Sequence, residues 1–152
     1  MRTIIFLDSD AIIAVLRGKP SMAAFLATHK MDLFAIPAPV LYEIYYGFYY
    51  PPVSKEFRNN QGFLKRLEGE QRRLQQFLND IQIFDLTIDA IKRAADFSAH
   101  LDASEMHVGE FDSLIAGIIL SAGYTTIVTK NVSHFDKFPG LEVLTYEKLD
   151  SV

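Results

Sequence analysis

Thr3-Ile4-Ile5-Phe6-Leu7-Asp8-Ser9-Asp10 is the stretch on which the reading of the fold turns. A short β-branched apolar run stops at an acid, as a fully buried parallel strand does when its carboxyl end opens onto a site. From Ser9 to Arg17 the chain turns helical: Ile12, Ile13, Val15 and Leu16 precede Gly18, a C-cap glycine, and Pro20, a breaker. Further out, residues 21–30 read as a second short helix and 33–36 as a second strand, punctuated by Pro37 and Pro39. The helix that carries Val40, Leu41, Ile44, Tyr45 and Phe48 is predicted to end before Pro51-Pro52. Residues 57–78 show the stripe of a long amphipathic helix, with Lys65, Arg66, Arg72 and Arg73 off the apolar face. A strand is expected at 81–84, then a helix over 88–101 with Thr87 as its N-cap. Leu114 to Ala122 is apolar all round the wheel, as in a helix packed on both sides. Strands at 125–129 and 141–144 complete the alternation. It predicts a three-layer α/β domain, a central parallel sheet flanked by helices, with residues 1–152 forming one domain.

Composition agrees with one ordinary globular core. The 152 residues carry 15 Lys plus Arg, 19 Asp plus Glu, 49% hydrophobic residues and no cysteine. A chain of this length buries roughly 70% of its unfolded surface, enough for one core and not for two. The absence of cysteine excludes a disulfide framework, a thiol nucleophile and thiolate metal sites, so any metal must sit on oxygen or imidazole. The apolar start is too short and too soon charged for a signal peptide or membrane span, and a cytoplasmic location without membrane contact is expected. A net charge of −4 argues against a generally basic nucleic-acid coat.

The carboxylates carry the chemistry. Asp8 follows a strand, where ligands bind in open parallel sheets, although Asp8 with Ser9 and Asp10 also suits a helix N-cap. Glu43 lies at the edge of an apolar helix face among Leu41, Tyr42, Ile44 and Tyr45, and a charge there needs a partner; Gly47, one turn on, leaves room for it. Asp112 opens the most hydrophobic helix, where the macrodipole favours an acid, but Glu110 beside it adds repulsion that a cation would relieve. Asn131 closes the strand 125–129, and Asp136 follows; either could supply an oxygen. His134 between them reads as a packed or capping histidine rather than a ligand. Folding would gather Asp8, Glu43, Asp112 and Asn131 at one sheet edge, and such oxygen ligands suit Mg²⁺ or Mn²⁺.

With these residues assembled, the chain resembles the PIN-domain ribonucleases, and most closely the VapC-type toxins of toxin–antitoxin pairs. Phe6-Leu7-Asp8-Ser9 is similar to the family's first strand and acid, and Pro39 to Gly47 to its Glu-bearing helix. Phe111-Asp112-Ser113-Leu114-Ile115-Ala116-Gly117 resembles its third acid entering an Asp-x-x-Ile-Ala helix, and Ile127 to Phe135 its last strand and Thr-Arg-Asn ending. Lys130 stands where an Arg is common, and Asn131 where many members have a fourth Asp, with Asp136 as its substitute. The resemblance implies hydrolysis of single-stranded RNA, with tRNA a candidate substrate, by a site in which Asp8, Glu43 and Asp112 hold Mg²⁺ or Mn²⁺. Asn131 is counted with the catalytic set; Ser9, Thr129 and Asp136 would orient the ligands or the phosphate. It also implies a homodimer and a VapB-like antitoxin.

Residues 51–80 carry six Lys or Arg against four Asp or Glu, a local +2. Arg58, Lys65, Arg66, Arg72, Arg73 and Lys130 are therefore the RNA-contact candidates, although a solvated helix face would look the same. The dense Tyr42, Tyr45, Tyr46, Phe48, Tyr49 and Tyr50 would suit either base stacking or a protein interface. Two rivals are a haloacid-dehalogenase-type phosphatase, from Asp8-Ser9-Asp10, and a PIN nuclease of RNA maturation without an antitoxin. Against the phosphatase, no Gly-Asp-x-x-x-Asp motif follows a later strand of this chain. An inactive binding module of the same fold is a third.

Overall fold

The structure, a computed structural model, describes residues 3–147. Among these residues five strands form one all-parallel sheet in the order β3-β2-β1-β4-β5. They are β1 (Ile4–Leu7), β2 (Leu33–Pro37), β3 (Gln82–Phe84), β4 (Thr126–Val128) and β5 (Glu142–Leu144). The helices are α1 (Ser9–Leu16), α2 (Pro20–Thr28), α3 (Ala38–Val53), α4 (Gln61–Leu78), α5 (Ile88–Ala103), α6 (Glu110–Ser121) and α7 (Val132–Phe135). Right-handed crossovers from β1 through β2 to β3 put α1 to α4 on one face; the reversed direction from β3 to β4 and β5 puts α5 to α7 on the other. Among the contacts, α1 touches α2, α3 and α4, α6 touches α5 and α7, and α3 and α6 also meet.

Phe6, Leu7, Ile36, Ile127 and Val128 are buried on the two sheet faces, as the uninterrupted apolar strands require. In α6, Ile115, Ala116, Ile118 and Ile119 are all buried, which is why this helix reads as apolar on every side. Gly117 sets its packing. A Cβ there would stand 2.5 Å from the Ala90 carbonyl oxygen and 3.1 Å from the Ala94 Cβ, so a bare Cα lets α5 and α6 cross in backbone contact. Gly18 ends α1 at φ +66°, the left-handed geometry a helix C-terminus favours, and Pro20 serves as the first residue of α2.

Two expectations are corrected. α3 does not stop before Pro51-Pro52 but includes them. The two missing N–H groups fall in its last turn, which Ser54 closes by donating its N–H to the Tyr50 and Pro51 carbonyls and its hydroxyl to Pro51. α4 starts at Gln61 rather than Phe57, because Asn60 caps it through Oδ1 and the Phe63 N–H (3.1 Å). A further single turn, α7, follows Asn131.

Candidate active site

The strand order reverses between β1 and β4, and in doubly wound sheets the crevice beyond that point is where ligands bind. Asp8 is the first residue past β1, and its N–H donates to the Val128 carbonyl (3.2 Å), so the ladder carries it to the rim. Its Oδ1 accepts from the Ser9 N–H (2.8 Å), capping α1. Cap and site therefore coincide in one residue. Thr129 is the first residue past β4 and wholly buried; its hydroxyl stands 2.8 Å from Asp8 Oδ2 and 2.9 Å from Asp10 Oδ2. The same oxygen accepts the Asn131 N–H (3.0 Å). Asp10, in the first turn of α1, also takes the Lys130 N–H at Oδ1 (3.1 Å) and Asn131 Nδ2 at Oδ2 (3.3 Å).

The other two acids enter from the helices on either side. α3 and α6 meet where Tyr42 stacks on Phe111, with ring centroids 5.3 Å apart, which places the neighbouring Glu43 and Asp112 in one electrostatic field. The space beside Gly47 is open. Burial pushes the Asp8 carboxyl up to about 7, aided by the charges of Asp10 and Glu43 and opposed by the hydrogen bonds from Thr129 and Ser9. Glu43 is raised by desolvation and then by Asp112 and Asp10, with His134 pulling it down. Asp112 is raised by desolvation and lowered by His134, whose Nδ1 is 3.5 Å from Asp112 Oδ2. Among the described residues no Lys or Arg forms an ion pair with Asp8, Asp10, Glu43 or Asp112. Oxygen donors that repel one another and lack a fixed counter-cation fit a hard divalent ion. As the side chains stand, no three acidic or imidazole groups among the described residues converge closely enough to ligate one ion directly.

Asp8, Thr129 and Asn131 are thus brought together directly and Ser9 joins them through its N–H, whereas Glu43 is exposed on α3 and is coupled to Asp8, Asp10 and Asp112 only through charge. Asp136 is not drawn in: it is exposed at the end of α7, its N–H bonded to the Val132 carbonyl. Lys130 contributes its N–H while its side chain is exposed. His134, expected to be a packed or capping histidine, is instead exposed beside Asp112. The residue that sequence reasoning passed over is Asp10, weighed there only as a capping neighbour or as half of a phosphatase motif. Its signal was the Asp-x-Asp spacing at the start of a helix. Tyr146 was also passed over; it is buried, and burial followed by the charge and hydrogen bond of Asp10 pushes its phenol up.

Two other surfaces stand out, the first at the carboxyl end of α1, the end opposite Asp8. Arg17, Lys65, Arg66, Arg72 and Arg73 line a cavity of about 780 Å³ with Glu70. Arg17 Nε pairs with Glu70 (2.9 Å), and Arg73 Nε donates to the Leu16 carbonyl (2.7 Å), fixing both guanidinium groups at the end of α1. Arg58 lies apart, exposed in the turn before α4. On α3, Tyr42, Tyr46, Tyr49 and Tyr50 are exposed, Tyr46 and Tyr50 stacked at 5.6 Å, with a cavity of about 440 Å³ between Tyr42, Tyr45, Tyr46 and Tyr49.

A doubly wound α/β domain with uncompensated acids at its switch point is the architecture of a site for cationic or cation-dependent chemistry. The chain belongs to the PIN-domain family, whose pattern matches residues 5–141. With that, the phosphatase reading of Asp8-Ser9-Asp10 falls away. Ribonuclease VapC2 of Rickettsia felis is 28% identical over 119 residues, 78% of each chain. The fold is that of VapBC2 from Rickettsia felis, solved bound to a DNA fragment from their promoter: TM-score 0.76 at 23% identity, covering 95% of this chain and all of that one. DNA-bound VapBC from Salmonella typhimurium matches with TM-score 0.73 at 22% identity over 96% of this chain and 99% of that one. Among the described residues no single helix is long and apolar enough to cross a membrane.

Proposed function

We propose that the chain is a metal-dependent endoribonuclease, the toxin of a type II toxin–antitoxin pair, with residues 1–152 acting as one PIN domain in the cytoplasm. The observation that carries this reading is the set of Asp8, Glu43 and Asp112, without a Lys or Arg ion-pair partner among the described residues, at the switch point of a PIN fold. The likeness to Ribonuclease VapC2 supports RNA as substrate, and the VapBC assemblies support an antitoxin as partner.

Asp8, Glu43 and Asp112 would hold Mg²⁺ or Mn²⁺. Such an ion supplies Lewis acidity toward water and phosphate and offsets charge on the phosphoryl oxygens. The chain's own residues do the rest. Thr129 fixes Asp8 Oδ2 by its hydroxyl and Ser9 fixes Oδ1 by its N–H, so the carboxylate presents one orientation. Asn131 and the Lys130 backbone set the wall of the pocket beside Asp10. Arg17, Lys65, Arg66, Arg72 and Arg73 would meet phosphates of the strand away from the cut, a local cationic surface on a protein of net charge −4. The tyrosine face of α3 is assigned to a second copy of the chain, since exposed aromatic clusters of this kind favour protein contact.

The test is to incubate the purified protein with total tRNA, with an unstructured RNA and with a small phosphomonoester, with Mg²⁺, Mn²⁺ or a chelator. Discrete RNA products that require the cation support the reading. Release of phosphate from the monoester without RNA cleavage would refute it.

A further inference from the structure

Asp10 makes contacts that a helix-start acid has no need to make. The cap of α1 is already supplied by Asp8, and the partners of the Asp10 side chain lie on Thr129, Lys130 and Asn131, about 120 residues away in the chain, with the Tyr146 phenol beside them. Its Oδ2 and Asp8 Oδ2 both stand within 2.9 Å of one hydroxyl, which has one proton to give. Setting a second carboxylate there costs stability, and side chains that break a local rule at such a cost mark functional sites. On its far side Asp10 Oδ2 is met by Asn131 Nδ2, so the pocket has an acid at 10 and its amide partner at 131.

We infer that Asp10 is the positioning residue of this site: it supplies a fourth carboxylate beside Asp8, Glu43 and Asp112, and Asn131 is the clamp that holds it. This rests on the nuclease reading of the site. The pair Asp10–Asn131 is then an exchangeable unit, since an amide at 10 and a carboxylate at 131 would make the same contact with the donor reversed. Asp136, exposed beyond α7, has no part in it.

The experiment compares wild type, Asp10→Asn, Asn131→Asp and the double exchange for cleavage of an unstructured RNA, for Mn²⁺ affinity by calorimetry, and for Tm. Asp10→Asn is expected to lower the cleavage rate and Mn²⁺ affinity by about 10-fold or more, the scale on which groups that orient metal ligands act. Asn131→Asp alone sets two carboxylates against each other and should lower Tm at pH 8. The double exchange should recover cleavage and affinity to within about threefold of wild type, and Asp10→Asn should lose Mn²⁺ affinity while keeping its Tm, which loss of a purely structural contact would not predict. A folded double exchange no better than Asp10→Asn, or an Asp10→Asn protein with wild-type rate and affinity, overturns the inference. If Asp10→Asn does not fold, the double exchange alone decides by the same threshold. If wild type itself cleaves no RNA, the nuclease reading fails, and the Mn²⁺ isotherms of the four proteins still decide whether 10 and 131 are coupled.

Discussion

The Thr129 hydroxyl lies 2.8 Å from Asp8 Oδ2, joining residues 121 positions apart at the carboxyl ends of β1 and β4. One short bond thus ties the acid to the neighbouring strand at the point where the sheet changes direction. Thr129→Val keeps the shape and removes the proton that separates Asp8 from Asp10. It should abolish most activity and destabilise the fold by about 1–3 kcal/mol at neutral pH, measured by urea unfolding.

The acids that would serve catalysis work against the fold when no cation is bound. Their raised pKa values mean that the native state holds protons that the unfolded chain, with Asp near 3.9, has released. Stability from Asp8, Glu43 and Asp112 is therefore greatest at low pH and falls as pH rises, for Asp8 between about 4 and 7. Half-buried Asp32, lowered by its hydrogen bond with His29 and by the Thr3 N–H, contributes in the opposite sense. The Tm of chelated protein should fall from pH 5 to pH 8, and Mn²⁺ should raise it most at pH 8.

Removing one charge should show the same trade. Asp8→Asn retains an oxygen for the Thr129 hydroxyl or the Ser9 N–H but not the repulsion from Asp10 and Glu43. In chelator at pH 8 it should be more stable than wild type by about 1 kcal/mol while losing cleavage. A lower stability in thermal or urea unfolding would contradict the electrostatic account.

The cationic groove at the end of α1 predicts a salt effect. With an inactive protein, Arg72→Ala and Arg73→Ala should each weaken RNA binding and reduce the slope of log affinity against log salt by about 0.7–1. Fluorescence anisotropy of a labelled RNA at several salt concentrations reads this directly. Unchanged slopes would return the groove to an ordinary solvated helix face.

Gly117→Ala tests the packing beneath the site. A methyl 2.5 Å from the Ala90 carbonyl must push α5 and α6 apart, with a cost of about 3 kcal/mol in unfolding experiments. Asp112 begins the same helix, so cleavage should fall along with stability.

Much of this was legible in the sequence because its signals are local. An apolar run ending at Asp8, a charge at the apolar edge of α3 and an acid opening an all-apolar helix can each be read within about ten residues. The alternation of such segments gives the parallel sheet. Asp10 was not legible, because an acid in a first helical turn looks the same whether it faces water or, as here, the turn after β4. His134 was misjudged for the same reason: its partner Asp112 comes from another helix. The course of α3 through Pro51-Pro52 depended on where the helix ends, since prolines in a last turn remove few bonds, and Ser54 provides the closure.

The most direct test of the central claim is the Mn²⁺-dependent cleavage rate of an end-labelled unstructured RNA by wild type against Asp112→Asn, with unfolding curves to show that both are folded. Cleavage by wild type that stops with chelator, and a rate at least about 100-fold lower in the folded variant, is the result this account predicts. Equal rates in the two proteins, or wild-type cleavage that persists in chelator, would contradict it.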